Sequence, residues 1–98
     1  MADVTKISSE IAGEFGSYLE YVENRFGELD ENAADWSALS SEEKNEFLSE
    51  WSIVEDRIRI LSDLVACHGV PPAFSDRYTR LLQRVSHGRL LIASLWAR

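Results

Sequence analysis

Apolar residues recur every three to four positions along three long segments of this sequence, which is the spacing of one face of an α-helix. The stripes run through residues 4–29, 47–65 and 74–95. The only prolines, Pro71 and Pro72, are adjacent and lie between the second and third stripes. The pattern therefore predicts an all-α protein, folded as an up-down-up three-helix bundle of long helices.

The first helix is predicted over residues 5–28 and is followed by a polar linker at 29–40. The linker is rich in Asp, Asn, Ala and Ser, and we predict a short extra helix within it. Trp36 and Leu39 are its large apolar residues. Since large apolar side chains are seldom left in solvated linkers, we predict that both pack over the end of the bundle.

The second helix has the clearest boundaries and is predicted over residues 41–68. Ser40 and Glu43 have the spacing of a capping box, in which each side chain binds the backbone amide of the other residue. Gly69 follows the predicted helix. Glycine is common at this position because it adopts positive φ at little cost. The third helix is predicted over residues 72–97.

The second helix carries two apolar stripes side by side. Ile53, Ile60, Leu64 and Cys67 form a stripe next to the main one. Such a wide apolar arc predicts that this helix is central and packs on two others, or that part of it faces another chain.

The third helix ends with apolar residues on every side, which predicts burial on more than one side. Because the end of a three-helix bundle offers few neighbours, we expect this end to contact a second chain. The predicted interface consists of Leu90, Leu91, Leu95, Trp96, Ile53, Ile60 and Leu64.

Glycines occur at several positions of the predicted helices. Gly13, Gly16 and Gly27 lie opposite the first apolar stripe. We expect them to mark an exposed face; the alternative is that they permit close approach of a neighbour. Gly88 instead lies within the stripe of the third helix. Its missing side chain would permit close packing or a mild kink.

Charge is unevenly distributed along the 98 residues, whose net charge is −7. Residues 1–56 hold 15 acids and three bases, whereas residues 57–98 hold seven arginines and two acids. We predict that the two halves neutralise each other, with a stripe on the third helix pairing with acids of the first. That stripe consists of Arg77, Arg80, Arg84 and His87. Alternatively, the acidic half is offered to a basic partner, and nucleic-acid binding is not favoured.

Arg57 and Arg89 project close to apolar stripes of the second and third helices. A buried arginine must be paired, and Glu14 of the first helix is the predicted partner in a buried ion pair. The alternatives are a small anion site and a salt bridge across a subunit interface.

The sequence predicts no catalytic residue, metal ligand set or cofactor site. Glu42, Glu43 and Glu46 lie in the first turns of a helix, where the dipole favours acids in any case. The single cysteine excludes an internal disulfide. With no signal peptide and no run of about 20 apolar residues, we expect a single cytoplasmic domain spanning residues 1–98 and no membrane association.

These observations favour a non-enzymatic protein–protein interaction module, either an adaptor, a regulator or an inhibitor. The expected partner is a protein or a second copy in a homodimer formed through the end of the third helix and the second helix. One alternative is an acidic inhibitor or DNA mimic that binds a basic protein surface. Another is a small α-helical enzyme that binds an anionic metabolite through Arg57 and Arg89.

Overall fold

The computed structural model describes residues 9–96, and it describes side chains up to residue 95. The predicted all-α three-helix bundle is confirmed, and this part of the chain contains no strand. No helix in it has the length and apolar character that a membrane span requires. The elements are α1 (Ser9–Ala34), a 3₁₀ turn (Trp36–Ala38), α2 (Ser41–His68), a second 3₁₀ turn (Pro72–Phe74) and α3 (Ser75–Trp96).

Helix α1 ends later than predicted, because residues 29–34 continue the helix instead of starting the linker. Leu29 is 1% exposed. Its packing in the core keeps residues 29–34 helical, although their polar composition is typical of a loop. The short helix predicted in the linker is confirmed as the turn that contains Trp36. The predicted start of α1, at residues 5–8, lies outside the described residues.

The packing predicted for the linker is confirmed. Trp36 is 5% exposed, and its ring meets the ring of Phe47 edge-on with centroids 5.7 Å apart. Leu39 is half-buried against the same cluster. These side chains close the bundle where α1 ends and α2 begins.

The predicted boundaries of α2 are confirmed at both ends. The Glu43 amide donates to the Ser40 hydroxyl, and the Ser40 amide donates to the Glu43 carboxylate, both at 3.1 Å. At the other end, Gly69 has φ of +80°, and its amide donates to the Val65 carbonyl at 2.8 Å. The predicted third helix begins with a 3₁₀ turn at Pro72 and becomes α-helical at Ser75.

The central helix of the bundle is α1, so the prediction that the second helix is central was wrong. Close backbone approaches join α1 to both α2 and α3, whereas α2 and α3 approach each other closely at few points. Of the two apolar stripes on α2, only the main one enters the core, and Ile53 of the other stripe is 44% exposed. The most deeply buried face belongs to α1 and consists of Phe15, Leu19, Val22, Phe26 and Leu29.

Two glycines admit aromatic rings between the helices. A Cβ atom added at Gly88 would overlap the ring of Phe26, which confirms the predicted close packing at that position. A Cβ atom added at Gly16 would lie 2.7 Å from the Phe74 ring, so the prediction that Gly16 marks an exposed face was wrong. Gly13 and Gly27 do face open space, as predicted.

Arginines of α3 bind acids of α1, as the charge pattern predicted. Arg77 donates to both carboxylate oxygens of Glu23, and Arg84 donates to Asp30 at 2.7 Å. These pairs are only partly buried, so each contributes at most about 1 kcal/mol to stability. Arg80 and His87 make no ion pair within the described residues.

Candidate functional site

An open groove runs between α2 and α3, on the side of these helices away from α1. Its volume is about 340 Å³. The buried side chains of Leu61, Leu81 and Val85 form its apolar floor, and Leu82, 48% exposed, rises at its α3 edge. The groove exists because α1 separates the two helices, which leaves the space between them incompletely filled.

Charged side chains cross one end of this groove. Arg89 donates to the Glu55 carboxylate through Nε, at 3.2 and 3.0 Å, and through a terminal nitrogen at 2.7 Å. The hydrogen bond to Glu55 raises the pKa of Arg89 above its ordinary value. Arg59, also at the groove, is 71% exposed and pairs only with Asp56 of its own helix. One end of the groove is therefore polar, and Arg59 adds a positive charge at the α2 edge.

Tyr78 forms part of the groove wall and connects it to the core. Its ring meets the ring of Phe15 edge-on, with centroids 5.4 Å apart. Burial raises the pKa of the Tyr78 phenol above its ordinary value of 10.0, because the uncharged form is favoured away from water. The phenol is therefore neutral at physiological pH and acts here as part of an apolar wall.

The predicted buried ion pair between Arg57 or Arg89 and Glu14 is wrong. The Arg89 side chain is 56% exposed and binds Glu55. No buried residue of the described chain is charged. Glu14 makes no ion pair within residues 9–96. Arg57 and Arg89 do not line a common hollow, so the structure does not assemble the predicted anion site from the two arginines.

A second surface lies where α2 runs beside α1. The Arg57 guanidinium stacks on two rings of α1, with its carbon 5.6 Å from the Tyr18 centroid and 5.9 Å from the Tyr21 centroid. Positions 53, 57, 60 and 64 are three or four apart and share one edge of α2. We call this surface the tyrosine face, and it consists of Tyr18, Tyr21, Ile53, Arg57, Ile60 and Leu64.

The residues predicted to form one interface do not lie on one surface. Leu95 is 2% exposed and belongs to the core, and Leu91 is half-buried against it, whereas Leu90 is 72% exposed. The prediction that Leu95 faces a partner was therefore wrong. Leu95 belongs to the same buried cluster as Leu29 near the end of α1 and Trp36 in the turn that follows. The Trp96 side chain lies outside the described residues.

The α2 residues of that predicted interface belong to the tyrosine face. Ile53 is 44% exposed, and Ile60 and Leu64 are half-buried. All three lie on the edge of α2 that faces α1, not on the edge that faces α3. Leu82, Arg59, Tyr18 and Tyr21 were not predicted as site residues, although Leu82 stands out in the sequence as an apolar residue beside the α3 stripe.

Acids collect around a smaller hollow, of about 210 Å³, where α1 ends and α2 begins. Glu43, Glu46 and Glu50 line it together with apolar side chains. Arg25 lies 3.6 Å from Glu50 but binds Glu28 more closely, at 2.6 Å. Within residues 9–96, no group of three or more His, Cys, Asp or Glu side chains is arranged to hold a metal ion.

Comparison with known proteins gives no information about the function of these surfaces. The chain matches no protein-family model, no curated protein and no solved structure. Of the exposed large apolar side chains in the described residues, Leu82 lies at the groove between α2 and α3, Ile53 lies on the tyrosine face, and Leu90 lies on neither.

Proposed function

We propose that this protein is a non-enzymatic interaction module that binds an amphipathic helix of a protein partner in the groove between α2 and α3. The observation that carries the proposal is the groove itself, with a buried apolar floor and with Leu82 exposed at its edge. A cytoplasmic location belongs to the same proposal and is supported by the single cysteine, since secreted proteins of this size often depend on disulfides.

A helix suits the groove for a geometric reason. Helices α2 and α3 already provide two sides of a four-helix arrangement, and a fourth helix would occupy the open position between them. Apolar residues of the partner at positions i, i+3, i+4 and i+7 would cover Leu82 and the floor. An acidic residue of the partner would meet Arg59, whose present ion pair is local and exposed.

Replacement of Leu82 by glutamate is expected to abolish partner binding while preserving the fold. The new carboxylate would enter an apolar groove, and burying it there without a partner is costly. Gln83→Glu is the matched control, because position 83 is exposed on the same helix and does not line the groove. The measurement is quantitative affinity purification with wild-type, L82E and Q83E baits, with helicity checked by circular dichroism.

We expect specific partners on the wild-type and Q83E baits and a loss of at least tenfold on the L82E bait. The bound segment, mapped by cross-linking, should read as an amphipathic helix. Equal recovery on L82E and wild type would exclude the groove as the binding site.

A second candidate function is capture of a basic protein surface by the acidic end of the bundle. The observation that favours it is the concentration of Glu43, Glu46 and Glu50 at one hollow. Raising the salt from 0.1 to 1 M shortens the screening length from about 10 to 3 Å. Binding through this end should therefore be lost at high salt and be insensitive to L82E. Binding in the groove should instead persist at high salt and be lost in L82E.

A further inference from the structure

The edges of α1 and α2 meet at the tyrosine face, and two opposite charges lie there. Neither of them makes an ion pair within the described residues. Arg57 stacks between Tyr18 and Tyr21 but makes no ion pair there. Glu14 lies one turn before Tyr18 on the same edge of α1, is exposed and makes no ion pair either. By contrast, each of the other arginines that contacts a neighbouring helix binds a carboxylate there, as Arg77 and Arg84 do.

The two charges do not meet within one chain. Arg57 stands level with residues 18–21 of α1, and Glu14 lies about five residues further toward the start of that helix. At 1.5 Å per residue this is a separation of about 8 Å along the bundle axis, which is twice the length of a salt bridge. Glu14 therefore lies beside the half of the tyrosine face nearer the start of α1, and Arg57 lies in the other half.

We propose that the tyrosine face is the interface of an isologous homodimer, in which Glu14 of each copy binds Arg57 of the other. A two-fold axis perpendicular to the helices, placed midway between the levels of Glu14 and Arg57, brings Glu14 of each copy to the level of Arg57 of the other. Such self-complementarity is what a two-fold interface requires. This dimer is independent of the groove, because α2 presents Arg57 toward α1 and Glu55 toward α3.

The middle of the same face supplies the apolar contact for the dimer. At the level of the proposed axis lie Tyr18 and Ile60, with Ile53 and Leu64 on either side along α2. Tyrosine and arginine are among the residues that most often dominate interface energies. Arg25, further along α1, is occupied by Glu28, which leaves Arg57 as the basic group available to Glu14.

The other charged groups of α1 near this face agree with the arrangement. Glu10 lies one turn before Glu14 and is exposed. The same two-fold axis brings Glu10 to the level of Arg25 in the second copy. The second chain therefore brings Glu14 to the level of an unpaired Arg57, and brings Glu10 to the level of the Arg25–Glu28 ion pair.

Charge reversal tests the pairing directly. Glu14→Arg and Arg57→Glu should each place like charges across the interface twice per dimer, and each should weaken the dimer by roughly tenfold or more. An equimolar mixture of the two variants should restore it, because every cross-subunit pair in the heterodimer is again opposite in charge. The double variant E14R/R57E should also dimerise. The measurement is sedimentation equilibrium, with twice the 11.1 kDa chain mass expected for wild type.

The controls make the same charge changes away from the face. Asp76→Arg and Arg80→Glu alter exposed residues of α3, which contributes no residue to the tyrosine face, and neither residue makes an ion pair within the described chain. Both variants should leave the dimer unchanged. A wild type that stays monomeric at several hundred micromolar would overturn the proposal. So would a wild-type dimer that is unaffected by either reversal, or variants that fail to associate when mixed. Circular dichroism shows whether each variant keeps its helices.

Discussion

Replacement of Phe26 by alanine is expected to lower the free energy of unfolding by about 3–5 kcal/mol. Phe26 is 1% exposed, and its ring meets the Trp51 ring edge-on with centroids 5.2 Å apart. The Arg84 guanidinium lies 5.5 Å from the ring centre, and Gly88 faces the ring from α3. One side chain of α1 thus contacts both other helices, and its removal leaves a cavity where all three meet.

Chemical denaturation followed by circular dichroism measures this effect. Because single domains are commonly stable by only about 5–15 kcal/mol, F26A should unfold at much lower denaturant concentration than wild type. Leu90→Ala is the control, since Leu90 is 72% exposed and exposed substitutions usually change stability by less than about 0.5 kcal/mol. A loss below about 1 kcal/mol for F26A, or equal losses for both variants, would contradict a core centred on α1.

Alanine substitution of two helical glycines is expected to change stability in opposite directions. In a helix interior, alanine is favoured over glycine by up to about 1 kcal/mol. At Gly27 no atom lies within 4 Å of the added Cβ, so G27A should be stabilised by about that amount. At Gly88 the added Cβ overlaps the Phe26 ring. Since overpacking costs about 1–3 kcal/mol, G88A should be destabilised overall.

Thermal unfolding separates the two glycine variants. A change of 1 kcal/mol shifts Tm by about 4–8 °C in a domain of this size, so G27A should melt several degrees above wild type and G88A below it. If G88A were also stabilised, the close approach of α3 to Phe26 would be refuted.

Local signals accounted for the parts of the fold that the sequence predicted well. The capping box of Ser40 and Glu43, and the glycine at 69, define both ends of α2 through hydrogen bonds between near neighbours. Such contacts depend little on the rest of the fold. The end of α1 was missed because residues 30–34 resemble a polar linker, while the helix there is held by the burial of Leu29, which depends on the other helices.

The candidate site depended more strongly on tertiary arrangement. The width of the apolar arc on α2 suggested a central helix, but the arc does not specify which residues a neighbour covers. Burial of Leu95 depends on a core cluster built from all three helices, and the groove at Leu82 follows from the position of α1 between the other helices. The sequence did single out Arg57 as a charge in need of a partner, with Glu14 as the expected partner, although the structure keeps them apart.

The two proposed surfaces can be occupied at the same time because they lie along opposite edges of α2. One edge contacts α1 at Tyr18 and Tyr21, and the other contacts α3 at Arg89. A dimer joined through the tyrosine faces would therefore present two grooves. A partner that carries two suitable helices would then bind with an avidity above that of a single groove.

Site-specific photocross-linking in the native host tests the central claim of groove binding most directly. A photoreactive amino acid placed at position 82 in the groove is compared with one at position 46 in the acidic end. We predict covalent adducts with a partner protein from position 82 and none from position 46. Adducts from position 46 alone would contradict the account and assign binding to the acidic end of the bundle.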